Sequence, residues 1–221
     1  MSLVSRGSGM RWPGVWAPTD MLGPFPEIQM RTLIAVALAL ATLALGAGPR
    51  PKVKLNTTLG AIVLELEPEA APKTVENFLK YVRKGQYNGT IFHRVIPGFM
   101  IQGGGYVDYL GKKRTDASIL NEADRSLAAG LKNRRGTLAM ARTPDPHSAA
   151  AEFFINVVDN PALDYKAKTS NQTWGYCVFG KVVQGMEVVD RIKAVKTTNK
   201  RSDFLNLPEK AVVITDASLL P

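Results

Sequence analysis

TIFHRVI, residues 90–96, and FMIQGG, residues 99–104, stand on either side of Pro97-Gly98. Both runs are rich in aromatic and β-branched residues, and Pro-Gly between such runs marks a tight turn, so they read as two adjacent strands. Strand alternation around the turn brings Arg94, the bulky Phe99 and Met100, and the amide of Gln102 onto one face. That face has two readings. Phe99 and Met100 are core and Arg94 is a surface charge, or the four residues are a built site.

Outward from this pair, VKLNTT (53–58) and AIVLELE (61–67) alternate apolar and polar residues across Leu59-Gly60, the pattern of a β-hairpin. Between hairpin and pair, KTVENFLKYVRKG places Val75, Phe78, Leu79 and Val82 at i, i+3, i+4 and i+7, with Pro72 near the start and Gly85 at the end. This spacing predicts a helix whose apolar stripe covers one end of the sheet. Downstream, GTLAMAR (136–142), EFFINVV (152–158), WGYCVFGKVV (174–183) and KAVVITDASL (210–219) read as strands, and Gly185 to Val195 as a second helix through Met186, Val189 and Ile192. Segment 105–135 is polar and irregular, and its length points to a functional surface. These eight strands and two helices do not alternate as βαβ units, which argues against a parallel doubly wound sheet. The expected fold is mainly β, a closed eight-stranded antiparallel barrel capped by two α-helices, because closure removes the edge strands.

The chain has 221 residues, 45% hydrophobic and 21% charged, the composition of a globular rather than a disordered protein. One cysteine, Cys177, excludes an intrachain disulfide, and with only His93 and His147 beside it no Cys/His metal site is expected. Lys plus Arg number 28 against 19 Asp plus Glu, a formal +9. The basic residues fall in short groups such as Lys112-Lys113-Arg114 and Lys200-Arg201, which read as solvated loops rather than a nucleic-acid surface.

Met30-Arg31 followed by the apolar run Thr32–Leu45 and the small residues Gly46-Ala47-Gly48 has the layout of a secretory signal peptide, with a cut expected after Gly46. An uncleaved anchor is the competing reading, disfavoured by an uncharged stretch of only 17 residues from Thr32 to Gly48. The expected organisation is therefore an N-terminal extension over 1–29 that precedes the true start, a signal peptide over 30–46, and one domain over 47–221. Export makes the periplasm the expected address and nucleic acid a poor partner. After cleavage no stable membrane insertion is expected, and the exported domain is expected to be a monomer. In an oxidising compartment the lone Cys177, inside YCVFG, should be buried.

Several generic chemistries are absent from the sequence. Gly103-Gly104-Gly105 lacks the Gly-Lys-Ser/Thr continuation of a phosphate loop, and there is no Gly-x-Ser-x-Gly elbow. The run FHRVIPGFMIQGG (92–104), however, closely resembles the signature of cyclophilin-type peptidyl-prolyl isomerases. GTLAMART (136–143), EFFINV (152–157), LDY (163–165) and YCVFGKVVQGMEVVD (176–190) resemble that family's later blocks in order and spacing. The resemblance spans roughly 52–221. With the signal peptide, the NEAD stretch (121–124) and MARTPDPHSA, it points to the periplasmic bacterial branch.

The resemblance implies an enzyme without cofactor or metal that rotates X-Pro bonds of proline-containing polypeptides, assisting the folding of exported proteins. It implies that Arg94, Gln102 and Phe99 are catalytic, Arg94 as the catalytic arginine and Gln102 as the residue that holds the substrate backbone. It implies substrate contact at Met100, Ala141, Arg142, Glu152, Phe154, Leu163 and Tyr176. Three positions depart from the family pattern. Glu152 replaces a glutamine, and is expected either to point to the surface or to place a carboxylate on Arg94. Ala162 stands where some relatives carry a rim aromatic on which the inhibitor cyclosporin leans. Arg142 stands where many eukaryotic relatives have asparagine. The rival function is a module of the same fold that binds Pro-containing segments without turnover. A basic nucleic-acid binder lacks the interleaved aromatics it would need.

Overall fold

The computed structural model describes residues 48, 50–199 and 202–221. The extension and signal peptide expected over 1–46 lie outside the described residues, and Pro49–Pro221 forms one unit. Eight strands close into a barrel: β1 (Lys52–Thr57), β2 (Gly60–Leu66), β3 (Thr90–Ile96), β4 (Met100–Val107), β5 (Thr137–Met140), β6 (Phe153–Asn156), β7 (Val178–Gln184) and β10 (Val213–Leu219). Around the barrel the order is β1-β10-β3-β4-β6-β5-β7-β2, and each neighbouring pair is antiparallel. Two short strands, β8 (Thr197–Thr198) and β9 (Leu207–Pro208), form a separate ribbon.

Helix α1 (Pro72–Arg83) buries the expected stripe of Val75, Phe78, Leu79 and Val82. Phe78 is the plug. Its ring lies 5.0 Å from Tyr87, 5.6 Å from Phe153 and 5.2 Å from Phe179, so helix and barrel share one aromatic core. Burying a ring of this size stabilises by roughly 1.5–3 kcal/mol, the largest single share of the stripe that seats the helix. The start of α1 is capped from a distance. Glu122 accepts hydrogen bonds from the Lys73 and Thr74 N–H groups and the Thr74 hydroxyl, at 3.2, 2.9 and 2.8 Å. A carboxylate there also complements the positive end of the helix.

Besides the ribbon of β8 and β9, which the eight expected strands do not include, two features depart from the sequence expectation. Segment 105–135 contains a third helix, α2 (Ala123–Ala128), so that with α3 (Met186–Lys193) there are three α-helices among the described residues. At six residues α2 is too short to show a period, and it is held by Ser126 Oγ donating to the Val178 carbonyl at 2.6 Å. The strand expected over 174–183 begins only at Val178. Gly175 adopts a φ of +63, and a Cβ there would lie 2.5 Å from the Tyr165 nitrogen, so the chain turns before the strand starts. Cys177 is buried just ahead of β7, and desolvation pushes its thiol up to about 12. Among the described residues no helix is long and apolar enough to cross a membrane.

Candidate active site

β6 reads Phe153-Phe154-Ile155-Asn156, and all four residues are buried. A strand with both faces buried must be covered twice. Phe153 and Ile155 join the barrel core, while Phe154 belongs to a second cluster with Met100, Ala139, Ala141 and Val178. Registers explain the grouping. Gln102 pairs with Phe154, Phe154 with Ala139, Ile96 with Met100 and Arg94 with Gln102, so alternate residues of β3, β4, β5 and β6 share the outer face.

That outer face is the floor of a cavity of about 90 Å³ lined by Arg94, Phe99, Met100, Gln102, Ala141, Arg142, Phe154, Leu163 and Tyr176. The structure thus brings together nine of the residues singled out in the sequence. Phe99 is fixed by the turn between β3 and β4, where its N–H bonds the Ile96 carbonyl at 2.9 Å. Its own carbonyl accepts from Asn160 Nδ2 at 2.9 Å. Leu163 lies in a short 3-10 turn (Pro161–Leu163) and accepts from the Tyr176 N–H at 2.9 Å, which holds opposite walls together. Ala162, in the same turn, is exposed. The Tyr176 ring meets Phe154 edge-on at 5.7 Å.

Two arginines reach this cavity with opposite commitments. Arg142 is engaged by its own chain through all three guanidinium nitrogens. Nε donates to the Gly175 carbonyl at 3.0 Å, Nη1 to Thr143 and Pro144 at 2.9 and 3.2 Å, and Nη2 to Asn171 at 3.0 Å. Its guanidinium also stacks 4.5 Å from the centre of the Tyr176 ring. Arg94 is the contrast: its guanidinium sits 5.9 Å from the Phe99 ring centre, and among the described residues it makes no ion pair or hydrogen bond. A cation held over an apolar floor with its donors unspent can hydrogen-bond an atom that gains electron density.

Glu152 departs from one of its expected placements, on Arg94. Its Oε2 accepts from Gln102 Nε2 at 3.0 Å and lies 3.5 Å from His93 Nε2, and Oε1 lies 3.8 Å from Lys112 Nζ. It therefore lines the two neighbouring cavities rather than the one over Phe154. The carboxylate fits because position 105 is glycine, where a Cβ would lie 2.5 Å from Glu152 Cγ. His93 beneath it is buried with Nδ1 unpartnered among the described residues. Desolvation, then the charges of Arg94 and Lys112, pull it down to about 4. The sequence reading missed His93, Tyr106 and Lys112 around this carboxylate, and Ala139 and Val178 in the floor. Continuing the alternation outward from Phe154 would have found the last two.

Compared with known proteins, residues 52–219 match the family described as cyclophilin type peptidyl-prolyl cis-trans isomerase/CLD. The chain is 57% identical to a peptidyl-prolyl cis-trans isomerase of Streptomyces antibioticus over 75% of this chain and 96% of that protein. It is 52% identical to peptidyl-prolyl cis-trans isomerase B of Escherichia coli over 74% of this chain and 96% of that protein. The crystal structure of a Cryptosporidium parvum cyclophilin type peptidyl-prolyl cis-trans isomerase superimposes with a TM-score of 0.60 at 27% identity. That match covers 78% of this chain and 98% of the other.

Proposed function

The chain belongs to the cyclophilin-type peptidyl-prolyl cis–trans isomerases and is one of these enzymes, and from that premise we propose that it turns X-Pro bonds in exported proteins at the cavity over Phe154, with Arg94 as the catalytic residue. The carrying observation is the unspent guanidinium of Arg94 beside a small apolar floor.

Resonance in the peptide bond sets a barrier of roughly 18–20 kcal/mol, and X-Pro bonds isomerise unaided in tens to hundreds of seconds. No bond is made or broken and no proton leaves. Twisting ends the conjugation and returns electron density to the prolyl nitrogen. A donor fixed near that nitrogen is therefore stronger in the twisted state than in the planar one, which is what accelerates the step. Phe99, Met100, Phe154 and Leu163 grip the pyrrolidine ring, Gln102 holds the flanking backbone, and Ala141 offers the strand edge. Excluding water around the ring strengthens the Arg94 hydrogen bond. An acceleration of about 10⁵ needs only ~7 kcal/mol.

The export assignment rests on the n-, h- and c-regions over residues 30–46 and on their place ahead of the barrel. A monomer in the periplasm, acting on unfolded polypeptide, is the state in which this surface site works. Expression of a chain starting at Met30 tests the address: the mature protein should carry an N-terminus near Ala47 by mass spectrometry. A soluble cytoplasmic product retaining Met30 would refute it. The role itself is tested by refolding an exported protein whose slow phase is proline isomerisation. The enzyme should accelerate that phase, and an unchanged slow phase would overturn the role.

A further inference from the structure

The bond between Gln102 and Glu152 has a direction that chemistry dictates. A carboxylate only accepts hydrogen bonds, so the group 3.0 Å from Glu152 Oε2 must be the amide NH₂ of Gln102. The amide oxygen is then turned away from Glu152. Among the described residues it accepts no hydrogen bond, although Gln102 lines the cavity of Arg94 and Phe99. A glutamine in an apolar or amide-rich setting can turn its amide over, whereas here the bond to Glu152 fixes which side carries the oxygen.

The surroundings favour the bond to Gln102 over other partners of the carboxylate. On the β4 side it packs on Gly105, with no side chain to push against it. On the β3 side it faces His93, held neutral near physiological pH by burial, and Lys112 reaches only its other oxygen, at 3.8 Å. Gln102 itself is pinned by its backbone register, opposite Arg94 on one side and Phe154 on the other.

We propose that Glu152 is a positioning residue that locks Gln102 with its carbonyl oxygen toward the substrate, so that the site selects polypeptide presenting a backbone N–H beside the X-Pro bond. This rests on the isomerase site proposed above. The pairing has a chemical logic: Arg94 supplies donors only, while Gln102, with one N–H held by Glu152, has a carbonyl oxygen whose direction is set, so the two residues together fix which way the peptide lies across the cavity. Proline has no N–H, and the selected group therefore belongs to a flanking residue. Losing one such hydrogen bond is worth about 1 kcal/mol, a factor of roughly five in kcat/KM.

The test uses the full chain and a series of short X-Pro peptides in which each flanking amide N–H is replaced, one at a time, by an ester oxygen. In the wild type one ester should lower kcat/KM about fivefold relative to the parent peptide. In Glu152→Met, where the amide is released to turn over, that penalty should shrink to less than twofold. Side-chain NMR of Gln102 gives a readout independent of turnover: one NH₂ proton should be shifted downfield in the wild type and return to the ordinary range in Glu152→Met. Equal turnover of all esters by the wild type, or the same penalty in both proteins, would overturn the lock. Absence of turnover on the parent peptide would instead sink the isomerase site on which it depends, and the NMR signal alone would then decide whether the amide is held.

Discussion

Lowering the pH from 7 to 5 should unload a measurable part of the folding stability through one ring. His93 is 6% exposed, its Nδ1 has no partner among the described residues, and its folded pKa is drawn to about 4 by burial and by the charges of Arg94 and Lys112. In the unfolded chain it titrates near 6.5. Between these values the unfolded chain binds a proton that the folded chain does not, so stability falls as pH falls through the window from about 6.5 to about 4. With these two values the loss is about 2 kcal/mol by pH 5 and levels off near 3 kcal/mol below pH 4. Urea unfolding of the wild type and of His93→Phe, each at pH 7 and pH 5, measures it. The His93 ring lies 4.8 Å from Tyr106 and 6.3 Å from Phe204, and comparing each protein with itself cancels the packing cost of the new ring there. The wild type should lose about 2 kcal/mol more than the variant. Equal losses would refute the reasoning and show that the carboxylate of Glu152, 3.5 Å from Nε2, offsets the desolvation of a charged His93.

Three further outcomes are expected. Arg94→Ala should cut kcat/KM in a protease-coupled assay by roughly 10²–10³ with thermal unfolding little changed, and Arg94→Lys should recover little, because a point charge does not reproduce the planar fork; activity within threefold of wild type in a folded variant would sink the mechanism. Arg142→Lys cannot reach four carbonyls and stack on Tyr176, so trypsin should cut more rapidly in 166–173 and KM should rise several-fold with kcat within about twofold; unchanged cleavage would show that the clamp is idle. Cyclosporin should inhibit weakly, since the exposed Ala162 offers neither ring nor donor, and Ala162→Trp should tighten inhibition at least tenfold; nanomolar inhibition of the wild type would show that this rim position is irrelevant.

The barrel was legible because its first hairpin alternates, its other strands are aromatic and β-branched runs bounded by turn residues, and its longest helix repeats every third or fourth residue, as Val75, Phe78, Leu79 and Val82 do. What escaped was structure without a period. Helix α2 has six residues and takes its support from Val178, about fifty positions away. Trp174-Gly175-Tyr176-Cys177 has strand-like composition, yet Gly175 turns the backbone and sets Tyr176 on Phe154. For the site, strand alternation around Pro97-Gly98 grouped Arg94, Phe99, Met100 and Gln102, while Ala141, Arg142, Phe154, Leu163 and Tyr176 were named only through the family resemblance, because they come from segments far away in sequence. The commitments of the polar ones did not follow from type. Whether Arg142 spends its donors on loops, and whether Glu152 reaches Arg94 or Gln102, depends on distances between segments far apart in sequence.

Phe153 and Phe154 are chain neighbours, but one fastens the barrel and the other floors the cavity. A sheet only one residue thick therefore separates two evolutionary problems. A change at Met100 or Phe154 is felt first in the cavity, while Phe153, Ile155 and Phe179 close the interior from the opposite face. A closed barrel that works on its outer wall is in this sense a tool whose bit and handle are cut from the same strands but face opposite ways.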